Sequence, residues 1–183
     1  WEGWHPTQML GLHIGGKRLG VIGMGRIGKA IAKRCHAGFG MEVVFYNRSP
    51  VADAGVPARQ VSMAEAMAAD VVVVAVPGGP ATHHLINAEA LAAMRPHAIF
   101  VNIARGDVVE EAALVAALQE GRIAGAGLDV YEFEPKVPQA LINMENVTLL
   151  PHLGTAALEV RTNMGMMAVD NLIAFAEGRT LPN

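Results

Sequence analysis

Cysteine, charge and aromatic residues are all scarce in this chain, and each shortage closes off a class of protein. Cys35 is the single cysteine among 183 residues, so an intramolecular disulfide framework is excluded and a reducing, cytoplasmic setting is expected. Charged residues make up only 17%, with Lys+Arg 14 against Asp+Glu 17 and a net charge of −3. That balance offers no basic field to nucleic acid or to an anionic membrane surface. No apolar run reaches the roughly 18 residues that a membrane-spanning helix needs. The β-branched run at residues 71–76 stops at Pro77 and has the length of a strand. The first residues lack the apolar core of a secretory leader, so none is expected. The chain opens Trp1-Glu2-Gly3-Trp4 without an initiator Met and reads as a piece of something longer.

What the chain has in plenty is small and apolar. Hydrophobic residues are 52% and the mean hydropathy is +0.31, which suits a sheet buried on both faces. The length allows one domain with a sizeable core. Short apolar runs at 19–22, 41–46, 70–76, 98–102, 123–128 and 147–150 read as strands, and helical patterns alternate with them. The first helix is expected over about 26–36, with Ile27, Ala30, Ile31 and Cys35 on one face. Ser62 with Glu65 and Asp107 with Glu110 each have the spacing of a capping box, and Gly121 suits a helix C-cap. A last amphipathic helix carries Leu158, Thr162, Gly165, Val169, Leu172, Ile173 and Ala176 along one side. Strands alternating with helices imply an α/β, Rossmann-type doubly wound parallel sheet with helices on both faces, in a single domain over 19–183. An arm is expected over 1–18. In such sheets ligands sit beyond the carboxyl ends of the strands, where strand order reverses.

Gly23-Met24-Gly25-Arg26-Ile27-Gly28 is G-x-G-x-x-G, with a strand before it and an amphipathic helix after it. The first glycine permits the tight turn, the second removes a Cβ from the path of a pyrophosphate, and the third lets helix and strand approach. The helix N-terminus adds free N–H groups and positive dipole, so a dinucleotide is the expected ligand. An acidic residue at the end of the second strand normally binds the ribose 2′-hydroxyl. Here Asn47-Arg48-Ser49 takes that place. Loss of the carboxylate removes repulsion toward a 2′-phosphate, and Arg48 and Ser49 can pair with one, which favours NADP over NAD. Asn47 serving NAD stays open as the alternative.

Three further blocks lie downstream. They are Val101-Asn102-Ile103-Ala104-Arg105-Gly106-Asp107, Gly127-Leu128-Asp129-Val130-Tyr131-Glu132-Phe133-Glu134-Pro135 and Leu150-Pro151-His152-Leu153-Gly154. Together with the glycine turn they resemble the D-isomer-specific 2-hydroxyacid dehydrogenases, above all the glyoxylate/hydroxypyruvate reductase branch. The resemblance implies that Arg105 grips the carboxylate and keto oxygen of a small 2-keto acid, a task for a planar guanidinium. His152 matches the acid/base and Glu134 its carboxylate partner, a pair able to move the alkoxide proton near neutral pH. Asp129 matches the residue near the nicotinamide carboxamide. Val76, Pro77 and Thr82 fall where the family's adenine-side loop runs, and Ile103, Ala104 and Gly154 complete the cofactor set. Two departures stand out: residues 78–81 are Gly-Gly-Pro-Ala instead of Leu-Thr-Pro-Glu, and Ile103 replaces a common threonine.

The resemblance also implies a homodimer, with the arm 1–16 and its Trp1 and Trp4 reaching over the partner, and a substrate domain outside this chain. Phosphoglycerate, formate and phosphite dehydrogenases are close alternatives. A corepressor-like module that senses NAD(H), and a dimerising remnant that binds no cofactor, are alternatives of other kinds. The adjacent His83-His84 suggests metal, but no ligand cluster at zinc spacing accompanies the pair and no metal is expected.

Overall fold

The computed structural model describes residues 3–8 and 10–182. The chain divides into two compact units, Trp1–Leu150 and Pro151–Asn183, a boundary that falls inside the stretch 19–183.

The first unit contains a seven-stranded sheet, parallel throughout, in the order β3-β2-β1-β4-β5-β6-β7. Its strands are β1 (Arg18–Ile22), β2 (Glu42–Tyr46), β3 (Ala58–Gln60), β4 (Val71–Val74), β5 (Ile99–Asn102), β6 (Gly125–Leu128) and β7 (Val147–Leu149). Its helices are α1 (Arg26–Phe39), α2 (Met63–Met67), α3 (Ala88–Ala92), α4 (Glu111–Gln119) and α5 (Gln139–Ile142). Successive side chains of a strand point to opposite faces, and here both faces are filled. Val43, Phe45 and Val73 pack in one core with Ala32 of α1. Their neighbours Val44, Val72 and Val74 pack in the other with Ala66, Leu91 and Leu114 of α2, α3 and α4. This is why the strands read as unbroken β-branched runs, and it makes the unit a doubly wound, Rossmann-type α/β fold.

Local signals set most of the boundaries. Glu65 N–H donates to Ser62 Oγ at 3.2 Å, the cap expected for α2. Gly40 ends α1 in the left-handed region, and Gly121 follows α4 in the same conformation. Other expectations fail. Glu110, not Asp107, precedes α4 and makes no side-chain cap bond; Asp107 lies in a 3-10 turn, Gly106–Val108. That turn is pinned from outside, because a Cβ on Gly106 would strike the Tyr131 carbonyl. Ile27 is 59% exposed, since Gly28 and Ala32 form the buried stripe of α1. The edge strand β3 and the short α5 had no apolar pattern to announce them.

The second unit is α6 (Leu158–Ala176) with its flanking residues. All seven residues expected along its apolar side are exposed, and Ala174 is its one buried residue. Apolar periodicity marks the face that can be buried, and it does not supply a partner. In the arm, Trp4 is exposed, while Trp1 lies outside the described residues. No helix among the described residues is long and apolar enough to cross a membrane.

Candidate functional site

Strand order reverses between β1 and β4, and the carboxyl ends of these strands open a cleft of about 430 Å³. Gly23 and Gly25 form its floor, Asn47, Arg48 and Ser49 one wall, and the stretch 75–82 the other.

The three glycines of the turn stand in different surroundings. Gly23 has φ +100, and a Cβ there would stand 2.8 Å from Val76 Cγ1 and 2.9 Å from the Ala75 carbonyl. A Cβ on Gly28 would strike the Gly23 carbonyl, so α1 could not approach β1. Gly25 is the opposite case, with nothing within 4 Å of where its Cβ would stand. It is the N-cap of α1, makes no side-chain cap bond, and no acidic residue lies in the first turn. The protein itself does not require glycine at 25. What remains is a bare cradle of backbone at a helix N-terminus, a shape and polarity that fit a pyrophosphate.

Asn47 ties the cradle to β2. Its Oδ1 accepts from Met24 N–H at 3.2 Å and its Nδ2 donates to the Ser49 carbonyl at 2.9 Å. Gln60, at the end of β3, donates to the Asn47 and Ser49 carbonyls at 3.0 and 3.2 Å and accepts from Val51 N–H at 3.0 Å. The loop that presents Arg48 is therefore braced from two strands. Arg48 is exposed beside the cleft and has no ion pair among the described residues. Met24 is buried beneath the turn, while Arg26 and Ile27 lie exposed in the first turn of α1.

In the opposite wall the Thr82 hydroxyl is turned inward, 2.7 Å from the Pro77 carbonyl and 3.2 Å from that of Gly79. It folds the loop. Residues 78–81 line the cleft with Val76 and Pro77, so the departure from the family pattern falls in the cleft wall. A Cβ on Gly78 would lie 2.7 Å from Arg105 Cγ; the arginine stem occupies the space that glycine leaves.

Arg105 follows β5. Asn102, buried at the end of that strand, donates from Nδ2 to the Arg105 carbonyl at 3.0 Å and accepts from Ala104 N–H at 3.0 Å. The exposed Arg105 side chain donates to the Ala104 carbonyl at 2.6 Å. Ile103 packs into the α1 side of the core. Asp129 is buried just beyond β6. Glu134 is exposed, and its Oε1 accepts from Tyr131 N–H at 3.0 Å. Because Gly106 abuts the Tyr131 carbonyl, the turn carrying Arg105 and the turn carrying Glu134 meet. The Tyr131 hydroxyl is held at 3.2 Å from the Leu128 carbonyl and 2.9 Å from that of Leu150. Burial, with the nearby acids Asp129, Glu134 and Glu111, keeps this phenol above its ordinary pKa, against the lowering effect of the bond to Leu150. His152 and Gly154 belong to the second unit, where His152 has φ +54.

The sequence reading missed Gln60, Gly106 and Tyr131, which position the expected residues. A glycine after Arg105 was in plain view, but its packing partner lies far along the chain.

Residues 1–154 match the D-isomer specific 2-hydroxyacid dehydrogenase, NAD binding domain, family. The chain belongs to that family. It is similar to the glyoxylate reductase of Thermococcus litoralis, 45% identical over 184 residues, which cover 99% of this chain and 55% of that protein. It is likewise similar to the 2-ketogluconate reductase of Gluconobacter oxydans, 44% identical, covering 96% of this chain and 56% of that one. The crystal structure of the NADPH-dependent glyoxylate/hydroxypyruvate reductase from Sinorhizobium meliloti, in complex with NADP and malonate, superposes with a TM-score of 0.87. That protein is 44% identical, and the match covers 95% of this chain and 54% of that one. The chain thus spans about half the length of the curated relatives it matches.

Proposed function

We propose that this chain is the cofactor-binding part of a D-2-hydroxyacid dehydrogenase that reduces glyoxylate, hydroxypyruvate or a similar small 2-keto acid, with NADPH preferred to NADH. The observation that carries the proposal is the bare cradle at Gly25, at the switch point of a family-typical sheet. In this reading Gly23, Gly25 and Gly28 shape the phosphate turn. Asn47, Arg48 and Ser49 face the ribose, and Val76, Pro77, Ile103, Ala104, Asp129 and Gly154 lie along the rest of the dinucleotide. Arg48 pairs with the 2′-phosphate as a charge-assisted donor.

The nicotinamide, when bound, supplies hydride to C2 of the keto acid. Arg105 leaves the Ala104 carbonyl and clamps the substrate carboxylate with its planar fork. His152 gives a proton to the C2 oxygen as that oxygen gains negative charge, and Glu134 is the carboxylate assigned to support it. The reverse reaction uses the same groups with the proton moving back. The activity is assigned to a longer protein in which a second domain closes over the cleft, and the isolated chain is expected to bind cofactor while turning over only at a trace rate. Water exclusion and positioning contribute roughly 7–11 kcal/mol of barrier lowering in such sites. The assembled form is a homodimer in this reading, and light scattering of the chain at micromolar concentration tests it.

Titration of the chain with NADPH and NADH tests the cofactor assignment. NADPH binds about tenfold tighter or more, and Arg48→Ala removes most of the difference. Equal affinities in the unaltered chain overturn the preference. No binding of either nucleotide overturns the whole reading.

A further inference from the structure

Outside the cleft, the fold brings the adjacent histidines to a carboxylate that is remote in the sequence. His84 has φ +48, a left-handed conformation unusual for a residue with a Cβ. Side chains of neighbouring residues in extended chain point apart. Here the His83 and His84 rings stack instead, with centroids 4.0 Å apart and 28° between their planes. His84 N–H donates to the Asp107 carbonyl at 2.8 Å, which holds this backbone in place. Across from it, His84 Nε2 lies 2.8 Å from Glu132 Oε1. One nitrogen from each histidine and one oxygen of Glu132 all lie within 4.8 Å of one another.

We propose that His83, His84 and Glu132 form a binding site for a divalent transition-metal ion of the zinc class. Two imidazoles and one carboxylate are a donor set that zinc and its neighbours accept, whereas magnesium and calcium favour oxygen throughout. Around a tetrahedral ion with bonds of about 2.0–2.1 Å, ligand atoms stand roughly 3.3 Å apart. The exposed His83 ring closes that gap by rotating about its side-chain torsions. Glu132 is already oriented from behind: its Oε2 accepts from Glu111 N–H at 3.4 Å, and its own N–H donates to Glu111 Oε2 at 3.2 Å. Such outer contacts are what fix a metal-binding carboxylate. The arrangement also brings the two carboxylates close together, and a cation on Glu132 offsets their mutual repulsion. On its open side His83 borders a shallow pocket of about 470 Å³ with Gly79, Pro80 and Asp107, which gives an ion and its remaining waters a way in. Bound there, the ion ties the cleft-lining turn before His83 to the segment that carries Glu134.

Calorimetric titration of the tag-free chain with zinc chloride, backed by the visible spectrum of the cobalt-loaded chain, tests the site. One equivalent binds with Kd below roughly 10 μM, and cobalt gives the strong absorption of a low-coordinate site. His83→Ala, at an exposed position, and Glu132→Gln each weaken that binding at least tenfold. His97→Ala, at the far end of the sheet, leaves it unchanged. Circular dichroism verifies that each variant is folded. Absence of zinc binding overturns the proposal, and so does binding that His83→Ala leaves intact.

Discussion

At the amino ends of the strands, Asp70 is closed in by its own protein. Arg18 N–H donates to its Oδ2 at 2.8 Å, while His97 Nε2 and Arg95 Nη1 lie 2.7 and 3.3 Å from its Oδ1. The same residue pairs through its backbone with Arg18 on one side and Ile99 on the other, locking β4 between β1 and β5. At the carboxyl ends, the Gly25 cradle and the Arg48 guanidinium have no comparable partners among the described residues. One end of the sheet uses its hydrogen-bonding capacity to hold the fold, and the other leaves it available to a ligand. Stability and binding are thus separable in this domain, and substitutions at the two ends should fail in different ways.

The sharpest contrast lies within the glycine turn. Gly28→Val should destabilise the fold by about 3 kcal/mol through overpacking against the Gly23 carbonyl. Gly25→Val should cost no more than about 1 kcal/mol, the penalty of an apolar N-cap, because nothing lies within 4 Å of where its Cβ would stand. On the proposed function it should still weaken NADPH binding on the order of 100-fold. Thermal melts beside nucleotide titrations check the pair, and parallel losses in both variants would break the comparison.

Next in size is Asp70→Asn, expected to cost about 2 kcal/mol at pH 7 through loss of charge-assisted bonds. Burial alone would raise this carboxyl. The bonds from His97 and Arg18 N–H, with the charges of Arg95 and His97, outweigh burial and hold it below the ordinary value. A folded-state pKa lower than the unfolded one gives stability that is complete above the unfolded value, about 3.9, and is lost as pH falls through the folded value. Urea melts from pH 7 to pH 2.5 should show a shallower acid loss in the variant, with nucleotide affinity at pH 7 unchanged.

The smallest effect sharpens the cleft itself. Gly78→Ala displaces the Arg105 stem. On the proposed function it should raise KM for the keto acid roughly tenfold in the longer protein, with NADPH affinity unaltered. A KM left untouched would show that Arg105 is placed by other contacts.

Most of the sheet was legible because strands buried on both faces spell out β-branched runs, as in Val71–Val74. The phosphate turn was legible because backbone geometry alone demands Gly23 and Gly28. What stayed hidden depends on distant partners. Ala58–Gln60 makes an edge strand from a small, a basic and an amide residue, and only its pairing with β2 defines it. Asp107 has the spacing of a helix cap, yet contact between Gly106 and Tyr131 draws it into a different turn. His83-His84 carried no visible third ligand because Glu132 reaches them only through the fold.

The brace supplied by Gln60 bears on how this domain meets its cofactor. A surface loop of polar residues ordinarily samples many conformations, and a ligand that selects one of them binds more weakly for it. With the Asn47 and Ser49 carbonyls and the Val51 N–H held by one amide side chain, that ordering is completed when β3 joins the sheet. On the proposed function, recognition at Arg48 begins from a preorganised loop, and an unassuming edge strand becomes a determinant of binding entropy.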